Sequence, residues 1–255
     1  MLQKVFIVGY KRRHFEYISF LNDHGDYSWM KEIPFISMLL VLILSSTTLA
    51  EGMPECMISD PDESIESIAI DKQISRQELL ARLVYAEGLS TGFADNKLIY
   101  EAIAWGVMNR VCLGEASQAM RHAYGRGIQG VIFKKGQFNP AVSKRSPFSK
   151  AFLCPDHFQR WKMATDAAGK AIRGIDNPFI QTPWEKRHDL SLVVNFYYPQ
   201  SIQAKGKLAP WEENKSLSFI GDILIDGKTL SAKNIRFYRL NSPPADLIKK
   251  KKGLL

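Results

Sequence analysis

Three segments of the chain carry apolar residues at intervals of three and four, the spacing that places them on one face of a helix. They cover residues 75–87, 96–111 and 158–172. The first opens with the sequence SRQE, which fits a capping box, and Gly174 is placed to end the third. The pattern therefore predicts three amphipathic helices.

Beyond residue 189 the pattern changes to extended runs. The sequences LSLVVNFYYP, FIGDILID and IRFYRL are rich in β-branched and aromatic residues, which favour strands. The pair Asp226-Gly227, at the end of the second run, is typical of a tight hairpin turn. Together the two patterns predict a mainly helical α+β single domain with a small β-sheet or hairpin.

Composition divides the chain into four parts. Residues 1–50 are interpreted as a leader and signal peptide. Residues 51–75 are acidic and contain two prolines, so we expect a linker with little to bury. Residues 76–240 form the predicted catalytic domain. Residues 241–255 have paired prolines and a lysine run, and we expect a basic tail that is dispensable for chemistry.

Residues 30–50 show the pattern of a secretory signal peptide: a lysine, an apolar run, and small or polar residues ending in Ala50. We expect cleavage after Ala50. An uncleaved membrane anchor is the alternative, although serines and threonines shorten the apolar run below a comfortable membrane span. Either Met30 is the true start, or residues 1–29 form a long charged region before the signal.

The chain is basic, with 34 Lys and Arg against 26 Asp and Glu and a formal net charge of +8. Without residues 1–50 the counts are 29 and 22, so the exported form would stay basic at +7. Such a charge favours an acidic partner, whether nucleic acid, anionic lipid or a carboxylate-bearing polymer. Charge alone does not choose among these partners.

Three cysteines follow the signal segment: Cys56, Cys112 and Cys154. In an oxidising compartment one pair could form a disulfide and leave one thiol over. Cys112 and Cys154 both lie in the predicted domain, whereas Cys56 lies in the predicted linker. We therefore expect a Cys112–Cys154 disulfide.

Glu87 follows the apolar stripe of the first helix and lies on the same face, just before Gly88. Burial and the negative end of the helix dipole both disfavour an ionised carboxylate, so the pKa of Glu87 should rise. A raised pKa suits a general acid, and the nearby glycines are expected to let a substrate approach. The alternative is a capping or ion-paired glutamate of structural value only.

Five motifs occur in order along the chain: LARLVYAEGL, AIAWGVMNRV, GVIFKKGQF, ATDAAGKAIRG and NFYYP. With them the chain resembles the SleB-like cell wall hydrolase family over residues 77–198. The matches of greatest weight are Glu87 in YAEG, Asn109-Arg110, and Gln137-Phe138.

The resemblance implies a lysozyme-like α+β enzyme that cleaves the glycan backbone of peptidoglycan with one essential glutamate, which Glu87 matches. It implies peptidoglycan rather than nucleic acid as the partner, and no cofactor or metal. With the signal segment, it also implies an exported protein of the periplasm or cell envelope without stable membrane insertion after cleavage.

Family members usually have the sequence AEARGE, in which a second acid follows the glutamate. This chain has AEGLSTG at that place and lacks the second acid. Glu101 is the best remaining candidate for a second carboxylate, although a solvated or salt-bridged role is more common for such a residue. A lytic transglycosylase needs one carboxylate, since the C6 hydroxyl of the sugar is the attacking group. We expect this mechanism, with a muramidase-type hydrolase or a non-catalytic peptidoglycan-binding protein as alternatives.

Four further residues are candidates for binding the glycan. Gln137 could hydrogen-bond an N-acetyl group, or it could simply be solvated. Phe138, Tyr197 and Tyr198 could stack on sugar faces or fill the core, and strand alternation would face the two tyrosines in opposite directions.

Two rival chemistries find no organised pattern. A cysteine peptidase or amidase would need Cys112 or Cys154 beside a histidine, and a zinc amidase would need three convergent ligands. The candidate histidines are His122, His157 and His188. Their spacing in the sequence is not that of metal ligands.

Overall fold

The computed structural model describes residues 52–57, 60 and 62–249. These residues belong to one compact unit and form ten helices and five strands. The helices are α1 (Ile65–Asp71), α2 (Arg76–Ser90), α3 (Lys97–Ala116), α4 (Gln118–Tyr124), α5 (Gly127–Ile132), α6 (Asn139–Val142), α7 (Ser149–Leu153), α8 (Phe158–Arg173), α9 (Pro183–His188) and α10 (Ala245–Lys249). The strands are β1 (Val193–Tyr197), β2 (Leu217–Phe219), β3 (Ile223–Ile225), β4 (Lys228–Leu230) and β5 (Arg236–Leu240).

The three predicted helices are present as α2, α3 and α8. The Ser75 hydroxyl accepts a hydrogen bond from the Glu78 backbone N–H at 3.1 Å and so caps α2. The Glu78 side chain instead binds Arg82, so only half of the predicted capping box forms. Helix α8 ends at Gly174, which has the left-handed φ of 70° that favours glycine at this position.

Helices α2, α3 and α8 pack against one another and form the centre of the core. Gly88 lies against the Tyr100 ring, where an added Cβ would come within 2.7 Å of a ring carbon. The expectation that Gly88 lets a substrate approach is therefore wrong, because this glycine allows α2 and α3 to pack closely. Gly106 has a similar role on α3, where it contacts the Phe196 ring of β1.

The strands form a small antiparallel sheet in the order β1-β5-β2 and a separate hairpin of β3 and β4. In the sheet, Phe196 pairs with Phe237, and β1 packs on α3. Asp226 and Gly227 join β3 to β4, with φ values of 50° and 74°. The predicted hairpin is confirmed, and so is the mainly helical α+β single domain with a small sheet.

The predicted signal segment, residues 30–50, lies outside the described residues. Within the part of the chain that the structure describes, no helix is long and apolar enough to cross a membrane.

The prediction of a linker with little to bury at residues 51–75 is wrong for its described portion. Helix α1 is capped by Ser64 and buries Ile65 and Ile68 in the main core. Met57 is also buried, and its backbone N–H donates to the Leu153 carbonyl at 2.9 Å. The acidic residues made the segment appear solvated, but its few apolar residues have the three-residue spacing of a helix face.

The predicted Cys112–Cys154 disulfide is also wrong, because Cys154 is bonded to Cys56 and Cys112 is free and exposed. Buried Arg82 on α2 holds the two bonded regions together. Its guanidinium donates to the Glu55 carbonyl at 2.6 Å and to the Leu153 carbonyl at 2.7 Å. This long-range contact brings the neighbours of Cys56 and Cys154 together, and local sequence does not reveal it.

The start of the predicted tail packs on the folded domain, and its dispensability for chemistry stays a prediction. The Asp246 carboxylate accepts hydrogen bonds from the Ser117 hydroxyl at 2.8 Å and from the Gln118 backbone N–H at 2.7 Å. Pro244 is buried, and Leu247 packs on a small apolar cluster under β1. Most of the lysine run, at residues 250–252, lies outside the described residues.

Candidate active site

Glu87 lies in the last turn of α2 and is 7 % exposed. It lines a cleft of about 520 Å³ whose other walls come from α3, the residues around Gln137, β1 and the chain that follows β1. Among the described residues that line the cleft, Glu87 is the only Asp or Glu. Any carboxylate chemistry supplied by this lining therefore falls to Glu87.

The Glu87 carboxyl is poised near neutrality. Burial raises the pKa of Glu87 to about 7, while the Tyr198 hydroxyl, the Arg110 charge and the Ser90 hydroxyl act to lower it. Desolvation therefore outweighs all three stabilising groups. The direction agrees with the sequence-based prediction, and a substantial fraction of Glu87 is protonated at neutral pH.

Arg110 is the only Lys or Arg among the described residues that line the cleft. It projects from α3 and is buried, and its Nε donates to the Val194 carbonyl at 2.5 Å. Burial lowers the pKa of Arg110 to about 10, so the guanidinium stays charged at neutral pH. It forms no ion pair with a carboxylate among the described residues, and its charge lowers the pKa of Glu87.

Arg110 also fixes the orientation of Gln137. The Arg110 Nη1 donates to the Gln137 Oε1 at 2.6 Å. Because a guanidinium carries only donors, the amide oxygen of Gln137 must face it, which leaves the Gln137 NH₂ group to serve other acceptors. Gln137 is thus presented to the cleft as a hydrogen-bond donor.

Two buried polar groups in the cleft lack hydrogen-bond partners among the described residues. The Tyr198 hydroxyl and the Trp211 indole N–H are buried and have no hydrogen-bond partner of regular geometry within the described part of the chain. Burial and the nearby Glu87 carboxylate raise the pKa of Tyr198 well above its ordinary value, so its hydroxyl keeps its proton. Unpaired buried donors are costly, and a bound ligand with acceptor oxygens would satisfy them.

Both tyrosines line the same cleft, but their rings contact different groups. Tyr198 packs on Phe196, two residues earlier in the chain, with the ring centroids 5.8 Å apart, as the predicted strand alternation requires. Tyr197 is half-buried and meets the Trp211 ring edge-on, with the ring centroids 6.0 Å apart. These two rings provide an aromatic wall with partly open faces.

Phe138 lines the base of the cleft but is only 2 % exposed. Its ring lies 4.9 Å from the Arg110 guanidinium carbon and packs on Phe196. The ring has little free face for a sugar. It supports the Arg110 side chain, which matches the core-filling alternative.

Glu101 does not line the cleft. It is 3 % exposed and forms ion pairs with Lys97 at 3.2 Å and Lys170 at 3.3 Å. Lys170 in turn binds Asp226 in the β3–β4 turn at 2.7 Å. The structure therefore places the candidate second carboxylate in a structural ion-pair network, which corrects the sequence-based hypothesis.

A third buried glutamate, which the sequence did not single out, lies at α9. Glu185 is 0 % exposed, and its carboxylate accepts from the Leu192 backbone N–H at 2.8 Å and from Arg239 at 3.1 Å. It also accepts from the backbone N–H groups of Gln181 and Thr182. Burial alone would raise the pKa of Glu185, but these N–H groups and the Arg239 charge lower it overall.

Asn109, the neighbour of Arg110, faces away from the site. It is buried, and its side-chain oxygen accepts from the Asn177 amide at 2.8 Å. The Asn109-Arg110 pair therefore combines a structural residue with a cleft residue, as adjacent positions on a helix require.

The sequence missed the chain between β1 and β2 as a wall of the cleft. Ser201, Ile202, Gln203, Ala204 and Trp211 all line it. The available signal was an isolated tryptophan and an isoleucine in a stretch rich in polar residues and lysine, and Ile202 is indeed exposed at the rim.

The residues proposed for rival chemistries are not assembled. Cys154 is held in the disulfide, and His122, His157 and His188 do not line the cleft. In the described part of the chain, no group of three His, Cys, Asp or Glu side chains is close enough to hold a metal ion.

Comparisons of this chain with protein-family models, with curated proteins and with solved structures give no match. The resemblance to SleB-like cell wall hydrolases consequently rests on the motifs quoted above, and the activity it implies is developed below as a proposal.

Proposed function

We propose that this protein cleaves the glycan strands of peptidoglycan as a lytic transglycosylase, with Glu87 acting first as the acid and then as the base. The observation that carries the proposal is the isolation of Glu87. It is the only carboxyl among the described residues of a cleft with partly open aromatic walls, and its pKa is raised to about 7 by burial.

In the first step, protonated Glu87 donates its proton to the glycosidic oxygen while the bond between C1 and that oxygen breaks. A carboxyl with a pKa near the working pH is well suited to this transfer, since it is both protonated and willing to release its proton. The sugar is left with oxocarbenium character at C1.

In the second step, the Glu87 carboxylate removes the proton of the C6 hydroxyl on the same sugar. The freed oxygen attacks C1 and closes a 1,6-anhydro ring, and Glu87 is again protonated for the next cycle. No water is consumed and no second carboxylate is needed. The Arg110 charge and the Tyr198 hydroxyl both stabilise the ionised form of Glu87 that exists between the steps.

The cleft lining also suits a sugar polymer. The half-buried rings of Tyr197 and Trp211 offer apolar faces of the kind that pack on sugar rings. Gln137, Tyr198 and Trp211 offer donors that would satisfy hydroxyl and N-acetyl oxygens. The cleft volume of about 520 Å³ is within the range of small-ligand sites and would hold the sugars around the scissile bond.

A muramidase-type hydrolase is the nearest alternative, because the first step would be the same. A hydrolase of the usual kind needs a second carboxylate at roughly 5–9.5 Å from the first, and the described lining contains none. The lining therefore favours internal attack by the C6 hydroxyl. A non-catalytic peptidoglycan-binding protein would use the same aromatic and donor groups but would not need Glu87.

The products decide among these three functions. Purified sacculi are incubated with the protein, and the released muropeptides are identified by mass spectrometry. Anhydro-sugar ends are expected. Reducing ends would replace the proposed mechanism with hydrolysis, freed stem peptides would indicate an amidase, and no release by a folded protein would leave binding alone.

We also propose that the protein is exported and cleaved after Ala50. The signal pattern supports this proposal, and the Cys56–Cys154 disulfide is compatible with an oxidising compartment. N-terminal sequencing of the secreted protein should begin at Glu51. Recovery of secreted protein with residues 30–50 intact would contradict cleavage.

A further inference from the structure

Two segments contribute residues to the cleft wall, and we refer to them as the rim segments. The first covers residues 133–153, from the end of α5 to the end of α7, and lines the cleft through residues such as Gln137 and Ser146. The second covers residues 198–211, which follow β1, and lines the cleft through residues such as Ala204.

The net charge of the protein is concentrated in the rim segments. Residues 51–255 contain 29 Lys and Arg and 22 Asp and Glu. The rim segments contain seven Lys and Arg and no acid, so the remainder holds 22 residues of each sign. The excess positive charge of the exported form thus equals the charge of these two segments.

Five of these cations are exposed and lie within three residues of a cleft-lining residue: Lys135, Arg145 and Lys150 in the first segment, and Lys205 and Lys207 in the second. None of the five forms an ion pair with another described residue. Lys144 differs, because its Nζ donates to the Asp60 carbonyl.

The interior of the cleft has a different character from its rims. Its described lining holds one cation, Arg110, and one acid, Glu87; the other lining residues are aromatic, aliphatic or neutral polar. Such an interior suits uncharged sugar rings. The rim segments, with exposed positive charge in both and no acid in either, suit a ligand that carries negative groups beside its sugars.

We propose that the cleft selects glycan strands that still carry their acidic stem peptides over bare strands, with the rim cations contacting the peptide carboxylates. This inference rests on the proposed function for the identity of the glycan. In peptidoglycan the sugar backbone is neutral once its lactyl group is joined to a peptide, so the carboxylates lie on the peptides. A twisted strand sends successive peptides in different directions, which agrees with cations on both rims.

The test measures binding separately from turnover. The Glu87→Gln variant holds substrate without cleaving it. Its affinity is measured for soluble glycan strands that carry stem peptides and for the same strands after an amidase has removed the peptides. We expect about tenfold tighter binding to the peptide-bearing strands at low salt, since exposed ion pairs each contribute a factor of roughly 1.5 to 5. High salt should remove the preference because it screens exposed charges.

Charge-neutralised rims provide the second arm. In the Glu87→Gln background, the variant Lys135→Gln/Arg145→Gln/Lys205→Gln/Lys207→Gln should lose most of the preference while still binding bare strands. The matched control is Lys215→Gln/Lys233→Gln, which removes two exposed lysines that do not line the cleft. This control variant should keep the preference for peptide-bearing strands. Equal affinity for peptide-bearing and bare strands would overturn the inference. So would a rim variant that loses no more of the preference, per positive charge removed, than the control variant loses.

The two proposals fail in distinguishable ways. If wild-type protein releases anhydro-muropeptides but shows no peptide preference, the present inference is wrong and the proposed function stands. If the protein cleaves no glycan but still prefers peptide-bearing strands through its rim cations, the catalytic proposal is wrong and the recognition of acidic strands stands.

Discussion

Glu87 and Glu185 are both buried, but their surroundings give the two carboxyls opposite properties. Glu185 accepts four hydrogen bonds from backbone N–H groups and Arg239, and these lower its pKa despite burial. Glu87 faces a cleft whose described lining holds one cation, Arg110, and the Tyr198 hydroxyl, which has no partner of regular geometry, and the pKa of Glu87 rises to about 7. The first is held as a permanent anion, whereas the second can gain and lose a proton near neutral pH.

The comparison shows that burial alone does not identify a catalytic acid. Both residues would be selected by low exposure, and Glu185 is the more deeply buried of the two. What separates them is hydrogen bonding: Glu185 accepts from three backbone N–H groups and Arg239, whereas Glu87 lies beside the Tyr198 hydroxyl, which has no partner of regular geometry among the described residues. A buried carboxyl with a raised pKa and few hydrogen-bond donors can exchange a proton with a substrate.

The largest expected effect comes from Glu87→Gln. The amide keeps the shape of the side chain but cannot transfer a proton, so turnover on sacculi should fall by about 10² to 10⁴ or more. Folding should be unchanged by circular dichroism. Glu101→Gln is the control, since it removes a carboxyl outside the cleft, and its folded fraction should remain active. Near wild-type release by folded Glu87→Gln would mean that the carboxyl is structural.

Glu185→Gln should show the reverse pattern. Its amide NH₂ would face donors of Arg239 and the backbone, so the free energy of unfolding should fall by about 3–5 kcal/mol, as expected when one partner of a buried ion pair is removed. Chemical denaturation measures this loss, while turnover per folded molecule should be kept. A loss of turnover without a loss of stability would remove the contrast between the two sites.

The two acids should also give opposite pH dependence of stability. Glu87 has a folded pKa of about 7 against an ordinary value of 4.5. Its favourable contribution is complete below pH 4.5 and is lost as pH rises through 7. Relative to Glu87→Gln, wild type should therefore lose up to about 3 kcal/mol between pH 4 and pH 8.

The contribution of Glu185 has the opposite sign. It is present above the ordinary pKa of a glutamate and is lost as pH falls through the lowered folded value. Denaturation of wild type, Glu87→Gln and Glu185→Gln from about pH 2 to pH 8 tests both statements, because the Glu185 contribution changes below its ordinary pKa of 4.5. Parallel curves for all three proteins would show that neither carboxyl changes its pKa on folding.

The smallest effect concerns the charge on Arg110. Because this charge lowers the pKa of Glu87, Arg110→Met should raise it further and move the alkaline limb of the kcat/KM profile upward by about one pH unit. The readout is the pH at which kcat/KM falls, since lost packing would lower kcat/KM at every pH without moving that point. Arg239→Met, which affects Glu185 instead, should weaken folding and leave the limb in place.

Much of the fold could be predicted because local patterns determine it. The apolar spacing, the Ser75 cap and Gly174 located α2 and α8, and Asp226-Gly227 located the hairpin. Contacts between distant segments could not be found in this way. The Cys56–Cys154 bond depends on Arg82 joining two carbonyls from different parts of the chain, and α1 is fixed by a core that other segments build.

The candidate site was predictable to a similar extent. Glu87, Gln137, Phe138, Tyr197 and Tyr198 were chosen from motifs, and all five line one cleft. Their surroundings were not predictable, because whether a polar group has a partner depends on the folded neighbours. Glu101 and Glu185 have the same chemistry as Glu87, and the ion pairs and hydrogen bonds that they form in the structure set them apart.

The order of the cysteines along the chain has a consequence for biogenesis. Cys56 pairs with Cys154 across 98 residues, and Cys112 lies between them. If the protein is translocated N-terminus first, as the proposed export implies, Cys112 reaches the oxidising side before the correct partner does. An early Cys56–Cys112 bond must then be exchanged before residues 52–57 can lie beside α7. Production of the native protein would therefore depend on a disulfide isomerase, and Cys112→Ser should remove that dependence.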